Sequence, residues 1–144
     1  FTFRLGNSNT PQNWAAAPPP ASITVQSGAG LNGSDRIRIT WADNAIQKTW
    51  LQITLLSTEK TGLLAANVHY WGNAIGEIGD SPTNAQVTLA DIATIRQSQT
   101  GFGFAPIYDA RDLNKDRKIN LEDVAIARSN QSGFTPLRLI NVPF

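Results

Sequence analysis

Residues 80–102 and 112–134 are two copies of one unit, offset by 32 positions. Val87-Thr88-Leu89-Ala90-Asp91 corresponds to Ile119-Asn120-Leu121-Glu122-Asp123, Arg96 to Arg128, and Gln99-Thr100-Gly101-Phe102 to Gln131-Ser132-Gly133-Phe134. A repeated unit this short cannot bury an apolar face alone, so the two copies must fold against each other. Each copy reads as a loop followed by a helix. Thr88 and Asn120 are good helix N-caps, and Asp91 and Asp123 fall three places on, near the positive end of the helix. Leu89, Ile92, Ala93 and Arg96 recur at helical spacing, as do Leu121, Val124, Ala125 and Arg128. That stripe is expected to face the partner copy with both leucines turned inward. Gly101 and Gly133 are the expected helix stops.

The region before the repeat has the period of strands. Phe1–Leu5, Ile23–Val25, Ile37–Trp41, Trp50–Leu55 and Val68–Trp71 each alternate apolar with polar residues or present a side chain to each face in turn. Turn-forming stretches separate them: Pro18 to Pro20, the glycines at 28, 30 and 33, and Asp43-Asn44. The expected fold is α+β, with an antiparallel β-sandwich-like module over residues 1–71 and a pair of loop–helix repeats over 72–144. Five strands make a thin sandwich. Leu137–Ile140 is a candidate sixth strand, and Phe1–Leu5 is a candidate for pairing with a neighbouring chain.

The acidic residues are unevenly placed. Only Asp35, Asp43 and Glu59 precede Glu77, and the other eight of eleven follow in or near the repeats. Crowded carboxylates repel unless a cation sits among them. In the second copy Asp112, Asn114, Asp116, Lys118, Asn120 and Asp123 occupy positions 1, 3, 5, 7, 9 and 12 of a calcium loop. Calcium takes six to eight hard oxygens, and this pattern supplies them. The Lys118 ligand is its backbone carbonyl, Asn120 stands where a water often bridges, and Asp123 closes the cage from the first helical turn. Arg117 takes position 6, where glycine is usual because the turn favours positive φ, at a cost of about 1 kcal/mol.

The first copy is less complete. Counting by the same offset, Asp80, Asn84, Gln86, Thr88 and Asp91 are its oxygen donors, and Pro82 leaves position 3 without one. Asn73 and Glu77, just upstream, can replace the missing oxygen if the loop is wider. Two calcium ions are therefore expected, the second loop holding the better site.

A duplicated calcium loop and helix, without the entering helix of an EF-hand, resembles the dockerin family. The match lies on Asp112-x-Asn114-x-Asp116-x-x-x-Asn120-x-x-Asp123 and, less closely, on Asp80 through Asp91, within residues 72–140. The approach Val68-His69-Tyr70-Trp71-Gly72-Asn73-Ala74-Ile75-Gly76 is similar to the junction in large bacterial surface proteins where a β-module precedes such a repeat. The resemblance implies a secreted, extracellular, calcium-dependent module that docks onto a cohesin-like protein. Positions 10 and 11, which help select the partner in that family, are Leu89-Ala90 and Leu121-Glu122 here, in place of a small hydroxyl pair. A second possibility is a subunit of an extracellular fibre, whose partner is copies of itself.

Other classes find little support. There is no cysteine and a single histidine, His69, so thiolate metal sites and cysteine nucleophiles are excluded and histidine clusters with them. Twelve basic and eleven acidic residues give a net charge of +1, which argues against a nucleic-acid partner. No apolar run approaches the ~18 residues of a membrane span. No nucleophile elbow, phosphate loop or dinucleotide fingerprint occurs, so we expect neither catalysis nor a small-molecule substrate. Trp14, Trp41, Trp50 and Trp71 are expected to serve packing more than a sugar platform. Methionine is absent even at position 1, which leads us to expect a processed chain or part of a longer one.

Overall fold

The computed structural model describes residues 1–141. Its fold is α+β, with two antiparallel sheets followed by two helices. The strands are β1 (Thr2–Gly6), β2 (Ala15–Ala16), β3 (Ser22–Gln26), β4 (Arg36–Thr40), β5 (Thr49–Leu55) and β6 (Asn67–Asn73). The helices are α1 (Leu89–Gln97) and α2 (Leu121–Ser129).

All five alternating segments form strands. They divide into a four-stranded sheet, ordered β2-β1-β5-β6, and a separate β3-β4 hairpin. Register follows the alternation. Phe3 lies opposite Ile53 and Leu5 opposite Leu51, while Ile23 pairs with Ile39 and Val25 with Ile37. Each sheet thus has one apolar face. The sheets meet where Trp41 packs edge-on against Phe3, with ring centroids 5.1 Å apart. Beyond that contact they enclose a cleft of about 450 Å³, walled by Ile37, Ile39, Leu51, Ile53, His69 and Trp71.

Two expectations about chain ends fail. Phe1–Leu5 does not wait for a neighbouring chain, because β1 is paired on both sides, with β2 and β5. Leu137–Ile140 is not a strand; it contributes one isolated bridge, Leu137 to Ala85. Pro136, immediately before it, has no N–H to offer a ladder. The segment instead straps the two parts of the chain together. Asn7 donates to the Pro136 carbonyl at 3.0 Å and accepts from Arg138 N–H at 2.7 Å. The Trp50 indole donates to the Arg138 carbonyl at 2.7 Å, and Asn9 accepts from Asn141 N–H.

The tryptophans are occupied mainly in packing. Trp14 is buried edge-to-face on Tyr70, and the Trp41 indole donates to the Pro18 carbonyl. Trp71 alone is mostly exposed.

The helical half has its own core: Ile92, Ile95, Ala105, Ile119, Val124 and Ala127, flanked by Ile78 and Leu113. The buried face of α1 is Asp91, Ile92 and Ile95, and that of α2 is Asp123, Val124 and Ala127. Leu89 and Leu121 are 74% and 67% exposed, which reverses the expectation that they turn inward. The helices also end earlier than Gly101 and Gly133, with Ser98 and Asn130 as their C-caps. Gly101 has a φ of +57° in the following turn.

The copies interlock reciprocally. Thr100, after α1, donates its N–H to the Ile119 carbonyl of the second loop at 3.0 Å. Ser132, after α2, donates its N–H to the Val87 carbonyl of the first loop at 2.9 Å. The return bonds run from Ile119 N–H to Thr100 Oγ1 and from Val87 N–H to Ser132 Oγ. Each loop is therefore held by the segment that leaves the other copy's helix.

Candidate metal centre

The second loop is built around two fully buried carboxylates, Asp112 and Asp123. Asp123 is the third residue of the α2 cap. Its Oδ2 accepts from Asn120 N–H at 2.9 Å, while Asn120 Oδ1 accepts from Glu122 N–H. The other oxygen, Oδ1, reaches back to Leu113 N–H at 2.7 Å. That bond ties the start of the loop to the start of the helix. Asp112 Oδ2 accepts from Arg117 N–H at 2.9 Å. Its Oδ1 is buried and has no hydrogen-bond partner. A buried acceptor left so costs about 1–3 kcal/mol, and more when it is charged.

The remaining donors shape the turn. Asn114 Oδ1 accepts from Asp116 N–H at 3.1 Å, and Asp116 Oδ1 from Lys118 N–H at 2.7 Å. Asn114, Asp116 and Lys118 are exposed. Arg117 has a φ of +71°, as its place in the loop requires, and Lys115 has +60°.

The first loop repeats this wiring in a different register. Asp91, fully buried, accepts from Thr88 N–H through Oδ2 at 2.7 Å and from Ile78 N–H through Oδ1 at 3.2 Å. Ile78 thus stands where Leu113 stands in the second copy, and Glu77 stands where Asp112 does. The repeat offset alone makes Asp80 the opening residue. The hydrogen bonds make it Glu77, so this loop is three residues longer than its partner. Glu77 Oε2 is also buried without a partner. Glu77 and Asp112 hold the two such side-chain atoms among the described residues.

Carboxylate oxygens of Glu77, Asp80 and Asp91 lie within 4.8 Å of one another. Asp80 therefore belongs to the cluster, though not as its first position. Burial pushes the Glu77 carboxyl up, Gly79 N–H partly offsets that, and the charges of Asp91 and Asp80 add to it. Asn84 and Gln86 lie in the turn, Asn84 Oδ1 accepting from Gln86 N–H at 3.1 Å. Thr88 caps α1 through Ala90 N–H. Asn73 lies apart in β6, donating to the Ile46 carbonyl.

Glu77 was legible only as a substitute donor upstream of the loop. The signal that finds it is Ile78, an apolar residue directly after an acid, matching Leu113 after Asp112.

Beside the second loop, Asp109 accepts from Arg111 through both carboxylate oxygens, at 2.7 and 2.8 Å. The Arg111 guanidinium holds its carboxyl down at about 2. These two charges are matched to each other.

The donors of both loops are oxygens, the hard ligands that suit calcium or magnesium rather than zinc or copper. His69, the lone imidazole, lies in the inter-sheet cleft of the β-module. Among the described residues no helix is long and apolar enough to cross a membrane. In comparisons with known protein families, curated proteins and solved structures, nothing matches this chain.

Proposed function

We propose that the chain is a non-catalytic, extracellular calcium-binding assembly module, whose repeat pair docks a protein partner in the manner of a dockerin. One observation carries the calcium reading. Glu77 and Asp112, at equivalent places in the two copies, each hold a buried oxygen that nothing in the protein satisfies. A cation bound in each loop removes that penalty and the repulsion among neighbouring carboxylates. Asp112, Asn114, Asp116, the Lys118 carbonyl, Asn120 through water and Asp123 are the proposed ligands of the second site. Glu77, Asp80 and Asp91 supply the charge of the first. Calcium fits better than magnesium, which demands a tighter octahedron and keeps more of its water.

The docking reading rests on the helices. Leu89, Ala93 and Arg96 are exposed along α1, and Leu121, Ala125 and Arg128 along α2. Each set falls on one helical face, and the two sets are copies of each other. Exposed leucines at both helix starts, with an arginine two turns on, suit an apolar protein surface bordered by acids. Because β1 and the 136–141 strap are both bonded within the chain, docking is favoured over a fibre built by exchange of these segments.

The test is calorimetric titration of chelator-stripped protein with calcium, followed by light scattering at both end points. Two binding events with unchanged size support the module. Binding that drives growth supports the fibre. No binding at millimolar calcium overturns the metal reading.

A further inference from the structure

The two copies differ in one respect that ligation does not explain. In the second loop three side chains set among the ligating ones are basic: Lys115, Arg117 and Lys118. Their counterparts 32 residues earlier are Thr83, Ala85 and Gln86, all uncharged. Cations in a cation-binding loop weaken it, since like charges repel. Two of them are also conformationally costly, because Lys115 and Arg117 sit at φ of +60° and +71°, where glycine or asparagine is favoured. A side chain kept where it costs both electrostatic and backbone energy calls for a compensating contact.

The surroundings indicate what that contact is. The chain between the repeats runs beside this loop, with Ala105 N–H donating to the Arg117 carbonyl at 2.7 Å. With the last residue of the first repeat it displays Phe102, Phe104, Ile107 and Tyr108, which are 106%, 68%, 72% and 85% exposed. The Arg117 guanidinium lies over the Phe104 ring, 5.2 Å from its centroid. Lys115 reaches the Asp109 carbonyl from the same side. Exposed cations and standing apolar side chains thus share one surface. The chemistry is that of an interfacial anchor, where aromatic and aliphatic groups enter the headgroup boundary and cations meet anionic lipid. Ile107 has no role in stacking on a sugar, and with a dication in the adjoining loop the patch is net positive, which selects an anionic surface.

We infer that the surface formed by Phe102, Phe104, Ile107, Tyr108, Lys115 and Arg117 docks onto an anionic lipid bilayer, and that calcium in the adjoining loop turns this on. The switch is a matter of charge, and it rests on the calcium reading given above. Asp112, Asp116, Glu122 and Asp123 outnumber the three loop cations, so the loop without an ion is net negative. A bound dication makes it net positive.

The experiment is cosedimentation of the full chain with phosphatidylcholine–phosphatidylglycerol vesicles and with pure phosphatidylcholine vesicles, with calcium and with chelator. Calcium binding is measured separately by calorimetry. Expected is calcium-dependent binding to the anionic vesicles alone. Replacing Lys115 and Arg117 by glycine together weakens it about thirtyfold, and Phe104→Ser with Ile107→Ser abolishes it, while calorimetry still shows two calcium sites in both variants. Pelleting that survives these substitutions overturns the proposal, because calcium is then merely bridging carboxylates to lipid. So does calcium binding without vesicle binding. Capture by a soluble sulfated polysaccharide in place of vesicles also overturns it, in favour of a glycan. If no calcium binds at all, the metal reading fails first, and vesicle binding in chelator then decides the surface alone: its absence overturns the surface too.

Discussion

Glu77 and Asp112 each bury one carboxylate oxygen without a partner, and each immediately precedes the residue whose N–H clamps the buried aspartate of the following helix. The equivalence is set by hydrogen bonds and not by the spacing of the sequence repeat. It makes the two loops variants of one hydrogen-bonded turn, one of them three residues wider.

The unpartnered oxygen of Asp112 gives a prediction with two opposite signs. Asp112→Asn keeps the size of the side chain and removes the buried charge. The calcium-free protein should gain stability, because a buried carboxylate with no cation beside it becomes a neutral amide. Calcium affinity of the second site should fall at least tenfold, since fewer charged ligands mean weaker binding. Thermal melts and calorimetry on one preparation check both. A variant that is less stable without calcium contradicts the account.

Register in the first loop is tested by comparing Glu77→Gln with Asp80→Asn. If Glu77 opens this loop, its loss removes the first binding event. Loss of Asp80 only weakens that event, because Asp80 lies at the exposed side of the cluster. Equal effects of the two changes would return the loop to the spacing of the sequence repeat.

The caps link the site to the helices. Asn120 Oδ1 accepts from Glu122 N–H at 2.6 Å, in a box closed by Asp123. Asn120→Ala should cost about 1 kcal/mol in the absence of calcium. The loss should be larger in its presence, because a water-bridging position goes with the cap. Urea unfolding in chelator and in calcium separates the two amounts.

Acid should act through Asp109. Its carboxyl is held at about 2 by Arg111, below the ordinary carboxylate value of 3.8. A depressed acid stabilises the fold above its unfolded value and loses that contribution as pH falls through the folded one. The ion pair is therefore intact at pH 5 and fades between roughly pH 4 and pH 2. Arg111→Met should flatten stability against pH across that window, with chelator present to silence the metal loops. An unchanged acid limb would mean that the pair contributes nothing.

Packing of the β-module turns on a close approach. A Cβ added at Gly6 would lie 2.2 Å from the Trp14 ring. Gly6→Ala should destabilise by about 1–3 kcal/mol through overpacking. Trp14 fluorescence should shift as its contact with Tyr70 loosens, while calcium binding is preserved.

Much of the architecture was readable from the residues. Period-two alternation located five strands, and the repeat located both loops and both helices. What escaped has physical reasons. A stripe drawn through Leu89, Ile92, Ala93 and Arg96 looks for apolar residues, whereas the buried face of α1 includes a carboxylate, Asp91, turned into the loop. Removing Asp91 from the pattern shifts the stripe and puts Leu89 inside, when it stands 74% exposed. The two alanines of β2 carry no periodic signal. The division of strands between two sheets depends on long-range pairing such as Phe3 with Ile53, which local pattern does not encode. Leu137–Ile140 has strand composition, yet its partners are the side chains of Asn7 and Trp50 and one bridge to Ala85. In the second loop the hydrogen-bonded turn follows the sequence spacing, Asp112 and Asp123 standing at its two ends, because that spacing is uninterrupted. In the first it does not, because three extra residues separate Glu77 from the rest.

The most direct measurement is the heat of calcium binding to chelator-stripped protein. The account predicts two events, the tighter weakened at least tenfold in Asp112→Asn and the weaker lost in Glu77→Gln. A titration that stays flat to millimolar calcium would contradict it, leaving both buried oxygens without a reason to be there.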